Sequence, residues 1–173
     1  LGQQSVDGAS CATVRMRSGD IGMLRSIKLT VCVALIFCTS ALAEPLTMSV
    51  KKTASCGCCQ IWVDYLKASG LKAQTENMVM GQLMKFKLDH GITHQHASCH
   101  TGRINGYTIE GHVPLKEIKR LLRERPDAVG LSVPGMPIGS PGMEVDGLRD
   151  AYDVLLIKKD GTSEVYAHYT AKE

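Results

Sequence analysis

Aromatic residues are scarce in this chain of 173 residues: they make up 5% of it, with one Trp and two Phe. So few rings leave no stacking platform for the bases of a single-stranded nucleic acid. A large excess of positive or negative charge is also missing, because the formal net charge is only +3 and no arginine-rich stripe occurs. Without an arginine-rich stripe or an aromatic platform, we expect no nucleic-acid partner.

No apolar run in the sequence is long enough to cross a membrane as a helix. The longest one, residues 29–43, falls short of the roughly 20 residues that a spanning helix needs. It follows a short basic segment and ends in Ala41-Leu42-Ala43, the small-x-small pattern of a signal peptidase site. This pattern predicts a signal peptide cleaved after Ala43, with residues 1–22 as an over-extended gene start before Met23.

Cleavage at that point divides the chain into a leader, residues 1–43, and a single domain, residues 44–173. We expect the domain to be exported to the periplasm, without a stable membrane anchor. A retained N-terminal anchor and a lipoprotein anchor at Cys38 are alternatives, the second disfavoured by the bulky Phe37 before it. The remaining length suffices for one hydrophobic core.

Seven cysteines occur in the chain, and three of them fall within the leader. The four that remain are Cys56, Cys58, Cys59 and Cys99. Exported proteins often join cysteines as structural disulfides, so two such bonds are one interpretation. The spacing argues against it, because bonds inside the 56–59 triplet would close tiny loops and fit disulfide distances poorly.

The cysteine triplet falls where a strand gives way to a helix. Residues 46–53 have a strand pattern, and apolar residues then recur at helical spacing from Cys58 to Ser69-Gly70. Unpaired N–H groups and the helix dipole at such a start favour thiolates, which are both nucleophiles and metal ligands. Cys56 and Cys59 also form a C-x-x-C pair, the spacing of thiol oxidoreductases, with Cys58 as an extra soft ligand.

Further candidate ligands lie along the chain. The segment 94–100 places Cys99 among three histidines, so we predict Cys99 as the fourth metal ligand. Thioether sulfur suits Cu(I), and two methionines occur in a loop rich in Gly and Pro. The secondary candidate ligands are His94, His96, His100, Met136 and Met143.

The remaining patterns predict an α/β domain with a mixed sheet. The first two strands flank a helix, which predicts a right-handed parallel crossover. Asp160-Gly161 predicts a hairpin turn between the last two strands. The other predicted segments are a strand over 71–77, a helix over 79–90, a strand pair over 103–112, a helix over 114–126, a loop over 130–143, and strands over 152–158 and 163–169.

The order of elements resembles the thioredoxin fold with an insertion. Four stretches resemble a bacterial domain-of-unknown-function family of predicted metal-binding proteins, which includes the copper-resistance protein CopG. These stretches are 54–59 (ASCGCC), 98–101 (SCHT), 106–114 (GYTIEGHVP) and 133–144 (VPGMPIGSPGME). The fold resemblance implies a cis-proline loop before the hairpin, at Val133-Pro134 or Met136-Pro137.

The family resemblance implies a periplasmic protein that holds copper on the four cysteines, as Cu(I) and with room for several ions. It also implies a role in copper resistance, a copper redox activity, and other periplasmic copper-handling proteins as partners. Two alternatives stay open. One is a metal-independent thiol–disulfide oxidoreductase using Cys56 and Cys59, and the other is a binding module stabilised by zinc or disulfides. Adjacent Cys58 and Cys59 suit a single zinc tetrahedron less well.

Overall fold

A computed structural model describes residues 46–172 of the chain. The predicted leader and its cleavage site lie outside these residues. The first unit is a parallel crossover, in which β1 (Thr47–Lys52) leads into α1 (Gly57–Ala68) and back to β2 (Lys72–Asn77). β1 and β2 pair in parallel, as predicted. Helix α1 is amphipathic and buries Trp62, Val63 and Leu66 against the sheet.

The rest of the chain completes one mixed sheet. Its further elements are α2 (Met80–Asp89), a 3₁₀ turn (His94–His96), β3 (Thr101–Ile104), β4 (Tyr107–Glu110), α3 (Leu115–Glu124), β5 (Ala128–Ser132), β6 (Tyr152–Lys158) and β7 (Ser163–Tyr169). The seven strands lie in the order β2-β1-β3-β4-β5-β6-β7. Only β1–β2 and β4–β5 pair in parallel within this sheet. The α/β class and the mixed sheet are therefore confirmed.

Two turns follow directly from the sequence. The predicted strand pair is the hairpin β3–β4, which turns at Asn105-Gly106. Both turn residues have positive φ, 47° and 84°, as the two-residue turns favoured in hairpins require. The hairpin β6–β7 turns near Asp160-Gly161, also as predicted.

The loop predicted over 130–143 begins too early. Residues 130–132 belong to β5, which pairs with β4 on one side and β6 on the other. The prediction starts the loop at Gly130 because glycine usually weakens a strand. Here it is needed: its φ is +155° and an added Cβ would overlap the Thr108 carbonyl of the neighbouring strand.

Two further expectations can be compared with the described residues. All peptide bonds among them are trans, so neither Val133-Pro134 nor Met136-Pro137 is the expected cis-proline. Within residues 46–172, no helix has the length and apolar character that crossing a membrane would require.

Candidate metal centre

The cysteine triplet occupies the start of α1. Cys56 precedes the first helical residue, and its N–H donates to the Thr53 carbonyl at 3.2 Å, which closes the turn after β1. Cys59 points into the core and is fully buried, whereas Cys56 and Cys58 are half-buried. The predicted placement of the thiols at a strand-to-helix junction is therefore correct.

Cys56 and Cys59 are joined by a disulfide bond. Their Cα atoms are 5.4 Å apart, within the ordinary range for disulfides, so the expectation that no bond fits inside the triplet is wrong. Residues three apart lie close together on one face of a helix, which is why this pair can meet. Cys58 and Cys99 are free thiols, so the described residues do not form the two disulfides of a stapled module.

Cys99 reaches the triplet from the segment before β3. The four sulfur atoms of Cys56, Cys58, Cys59 and Cys99 lie within 4.8 Å of one another. Cys56 and Cys99 are 43 residues apart in sequence. The sheet brings them together, because β1 and β3 are neighbouring strands. The structure brings together all four cysteines that the sequence singled out.

Burial, and to a smaller extent the nearby Cys58, raises the pKa of the Cys99 thiol to about 12. Cys99 is therefore a neutral thiol near neutral pH when no metal ion is bound. A metal ion that binds here must displace the thiol proton, so its binding releases protons.

A buried ion pair lies beneath the Cys99 segment. The Lys87 Nζ and Glu110 Oε1 atoms are 2.5 Å apart, and the two side chains are 2% and 0% exposed. Glu110 also accepts hydrogen bonds from the Ser98 N–H and the Thr101 hydroxyl, both at 2.7 Å. Burial raises the pKa of Glu110, while the Lys87 ammonium opposes that shift. The carboxylate thereby fixes the residue next to Cys99 and the first residue of β3.

Two of the predicted secondary ligands lie at the cysteines. The Met136 sulfur is 4.0 Å from the Cys58 sulfur, although its side chain is 51% exposed. The Nδ1 atom of His100 is 3.2 Å from the Cys99 sulfur, and the ring is fully buried. Burial is the main reason that the pKa of His100 lies well below its ordinary value.

The other secondary candidates have different surroundings. His94 is exposed on the 3₁₀ turn. His96 is buried and hydrogen-bonds to Thr93 at 3.0 Å and Ser163 at 3.2 Å, and it does not belong to the group of converging sulfur atoms. Met143 is half-buried, and its carbonyl accepts the Gly139 N–H at 2.8 Å, so its backbone shapes the loop.

His112 was not among the predicted ligands. Its Nε2 atom is 3.2 Å from the Cys99 sulfur, and burial lowers its pKa. Cys99, His100 and His112 form a second group of converging ligand atoms, again within 4.8 Å of one another. One feature of the sequence pointed to His112 as a functional residue: it lies inside the stretch 106–114 on which the family resemblance depends.

Gly111 holds the Cys99 segment in place through close packing. Its φ is +72°, and an added Cβ would lie 2.5 Å from the Ser98 hydroxyl oxygen and 2.6 Å from the Val133 carbonyl oxygen. We expect Gly111→Ala to lower the free energy of unfolding by about 2–4 kcal/mol, from left-handed strain plus overlap. Denaturant unfolding followed by the fluorescence of Trp62 measures the loss.

Gly135→Ala is the matched control for this substitution. Gly135 has a similar φ of +68°, but its Cβ position is open. It should lose only the strain, about 1–2 kcal/mol. Equal losses in the two variants would contradict the packing role of Gly111.

The fold and the site define an α/β protein with a cluster of soft sulfur donors at a helix start, a group that could hold a metal ion. Two solved structures are similar to this chain, both of copper resistance protein CopG. Form 1 is 43% identical, with a TM-score of 0.69, and the match covers 73% of this chain and 99% of that chain. Form 2 is 44% identical, with a TM-score of 0.67 and the same coverage.

The model of the family described as protein of unknown function, DUF411, matches residues 96–143, a range that includes Cys99, His100 and His112. No curated protein matches the chain. The chain belongs to the family of the copper resistance protein CopG, as the sequence motifs predict.

Proposed function

We propose that this chain is an exported copper-binding protein of metal resistance, which holds Cu(I) on Cys56, Cys58, Cys59 and Cys99. The observation that carries the proposal is the convergence of these four sulfur atoms within 4.8 Å. Soft thiolates select Cu(I). The name of the similar structures, copper resistance protein, supports copper as the cargo.

The four sulfurs favour several Cu(I) ions over one zinc ion. A thiolate can bridge two copper ions, so four thiolates in one small volume can hold a cluster. Structural zinc sites usually draw their ligands from two separated pairs, whereas three of these cysteines come from one helix start. The Met136 thioether beside Cys58 adds a further soft donor at the exposed side of the cluster.

The topology supports a thioredoxin-like description of the domain. The sheet order β2-β1-β3-β4 contains a parallel crossover through α1 and then an antiparallel hairpin. In this arrangement the hairpin β3–β4, rather than the expected β6–β7, follows the crossover, and the loop before it carries Cys99. Under this description the fourth ligand faces the C-x-x-C pair across the same cleft that thioredoxin-like proteins use for redox chemistry.

Copper binding to all four cysteines requires the Cys56–Cys59 disulfide to be reduced. Two electrons from an external dithiol would break the S–S bond and yield two thiols, each of which loses a proton on binding Cu(I). Formation of the disulfide from the two thiolates releases two electrons. Two Cu(II) ions can take one electron each, which gives a balanced reduction of copper to Cu(I). We include this redox activity in the proposal.

A titration of the reduced chain with Cu(I) tests the proposal. The protein is treated with a dithiol, freed of it under anaerobic conditions, and titrated with Cu(I) in competition with a chromogenic chelator. We expect more than one Cu(I) ion per chain. The disulfide form serves as the control and should bind fewer ions. Equal uptake by both forms, or zinc retained in preference to Cu(I), would contradict the proposal.

The disulfide at a helix start also favours a second candidate, a metal-independent thiol–disulfide oxidoreductase. In that activity Cys56 is the nucleophile and Cys59 the resolving thiol, as their C-x-x-C spacing suggests. Reduction of insulin disulfides without metal, unimpaired in Cys58→Ser and Cys99→Ser, would support this activity over copper binding.

A further inference from the structure

Cys99 faces histidines as well as cysteines. Its sulfur is 3.2 Å from Nδ1 of His100 and 3.2 Å from Nε2 of His112. These three residues form their own group of converging ligand atoms, which contains neither Cys56 nor Cys59. The group is therefore complete in the disulfide form of the protein, when two of the four clustered sulfurs are joined to each other.

His112 is held with one nitrogen ready to bind a metal ion. Its Nδ1 lies 2.8 Å from the Pro141 carbonyl oxygen, which can only accept a hydrogen bond. Nδ1 therefore carries the proton, and in the neutral ring the lone pair of Nε2 faces the Cys99 sulfur. Metal-binding histidines are usually oriented in this way, with the other nitrogen donating to a backbone carbonyl.

His100 is fully buried, and its Nδ1 atom faces the Cys99 sulfur. The Gly111 backbone interacts with the ring and raises its pKa against the larger effect of burial, and the Nε2 atom is buried without a hydrogen-bond partner. Packing sets the ring's position, with Trp62 at 4.3 Å and His112 at 5.0 Å between ring centroids. Burying a polar ring with so few partners is costly, and a metal ion bound between Nδ1 and the Cys99 sulfur would give the ring a further partner.

The spacing of the donor atoms suits one ion. With a metal–nitrogen bond of about 2.0 Å and a metal–sulfur bond of about 2.3 Å, a nitrogen–sulfur separation of 3.2 Å corresponds to an angle of about 95° at the metal. A set of two histidines and one cysteine is the donor set that proteins use for Cu(II) in trigonal sites.

We infer that Cys99, His100 and His112 form a second metal site, which takes one Cu(II) ion while Cys56 and Cys59 are joined as a disulfide. The proposed function supplies the identity of the metal, and the ligands come from the geometry of this group. Cys99 belongs to both sites, so the two oxidation states of copper have different ligands around one shared sulfur.

Divalent metal titration of the disulfide form tests the inference. Co(II) is the first probe, because thiols do not reduce it and a bound thiolate gives it an intense charge-transfer band. We expect this band to saturate at one Co(II) per chain. Cu(II) added under the same anaerobic conditions should give an electron paramagnetic resonance spectrum with nitrogen coupling from imidazole. No band, or a Cu(II) spectrum without nitrogen coupling, would overturn the inference.

Variants assign the ligands. His112→Gln and Cys99→Ser should weaken Co(II) binding by more than the roughly 10- to 100-fold that the loss of an outer-shell partner costs. His96→Gln is the matched control, because His96 is also buried but bonds to Thr93 and Ser163, and it should leave the band unchanged. Retention of the band in His112→Gln would overturn the inference.

The same samples separate this inference from the proposed function. If the disulfide form binds no Co(II) while the reduced form still takes up several Cu(I) ions, the second site fails and the proposed function stands. If the disulfide form shows the Co(II) band while the reduced form binds no Cu(I), the second site stands and the four-cysteine proposal fails.

Discussion

Replacing Cys99 with serine is expected to weaken Cu(I) binding by the reduced chain more than 100-fold, a larger effect than the roughly 10- to 100-fold loss for an outer-shell residue. Cys99 is the one described residue that belongs to both groups of converging ligand atoms. A serine hydroxyl is a hard donor that does not deprotonate near neutral pH, so it cannot replace a thiolate on Cu(I). Competition with a Cu(I) chelator measures both affinity and the number of ions bound.

Two further variants define what that result means. Cys56→Ser removes a ligand from the all-sulfur group but not from the histidine group, so it should reduce Cu(I) uptake and spare the Cys99–histidine contacts. His94→Ala, in the same segment as Cys99 but exposed on the 3₁₀ turn, should bind Cu(I) like the unaltered chain. Full Cu(I) stoichiometry and affinity in Cys99→Ser would contradict the four-cysteine site.

Local patterns predicted most of the fold because they report local physics. The spacing of Trp62 and Leu66 predicts α1, and these residues are buried on one face of that helix. The parallel crossover follows from a strand, a helix and a second strand in close succession. The position of the triplet at the start of α1 needs no information beyond the same pattern.

The sequence was less informative where distant segments decide the outcome. The loop predicted over 130–143 includes the last three residues of β5, because Gly130 and the prolines after it resemble turn residues, whereas pairing with β4 and β6 makes these residues a strand. Spacing alone gave no reason to prefer His112 over His96. The two differ only in what the fold places beside them: Cys99 beside His112 and Ser163 beside His96.

The Cys56–Cys59 bond shows a different limit. Counting the residues between two cysteines gives the size of the loop, but the helical path of the backbone sets the distance between them. On a helix start the Cα atoms are 5.4 Å apart, which an estimate from loop size alone does not reveal. Cys58 lies between the bonded pair and stays free, because successive residues on a helix point in different directions.

The largest effect on stability is expected at the buried pair of Lys87 and Glu110. Lys87→Met leaves the buried Glu110 carboxylate without its cation, and Glu110→Gln leaves the buried Lys87 ammonium without its anion. Removing one partner of a buried ion pair costs about 3–5 kcal/mol, and we expect each variant to lose that much of its free energy of unfolding. Denaturant unfolding of the disulfide form, followed by the fluorescence of the fully buried Trp62, measures it.

The double variant Lys87→Met/Glu110→Gln separates the cost of an orphaned charge from the cost of lost packing. It contains no buried charge at this pair, and the side-chain carbonyl of the introduced glutamine can still accept the hydrogen bond from the Ser98 N–H. It should therefore be more stable than either single variant.

Lys85→Met is the matched control on the same helix. Lys85 pairs with Asp89 at the surface, with the two side chains 75% and 52% exposed, so its loss should stay below about 0.5 kcal/mol. Losses from the two single variants that simply add in the double variant would show that Lys87 and Glu110 contribute independently. The Glu110 carboxylate would then hold the Cys99 segment without help from the lysine.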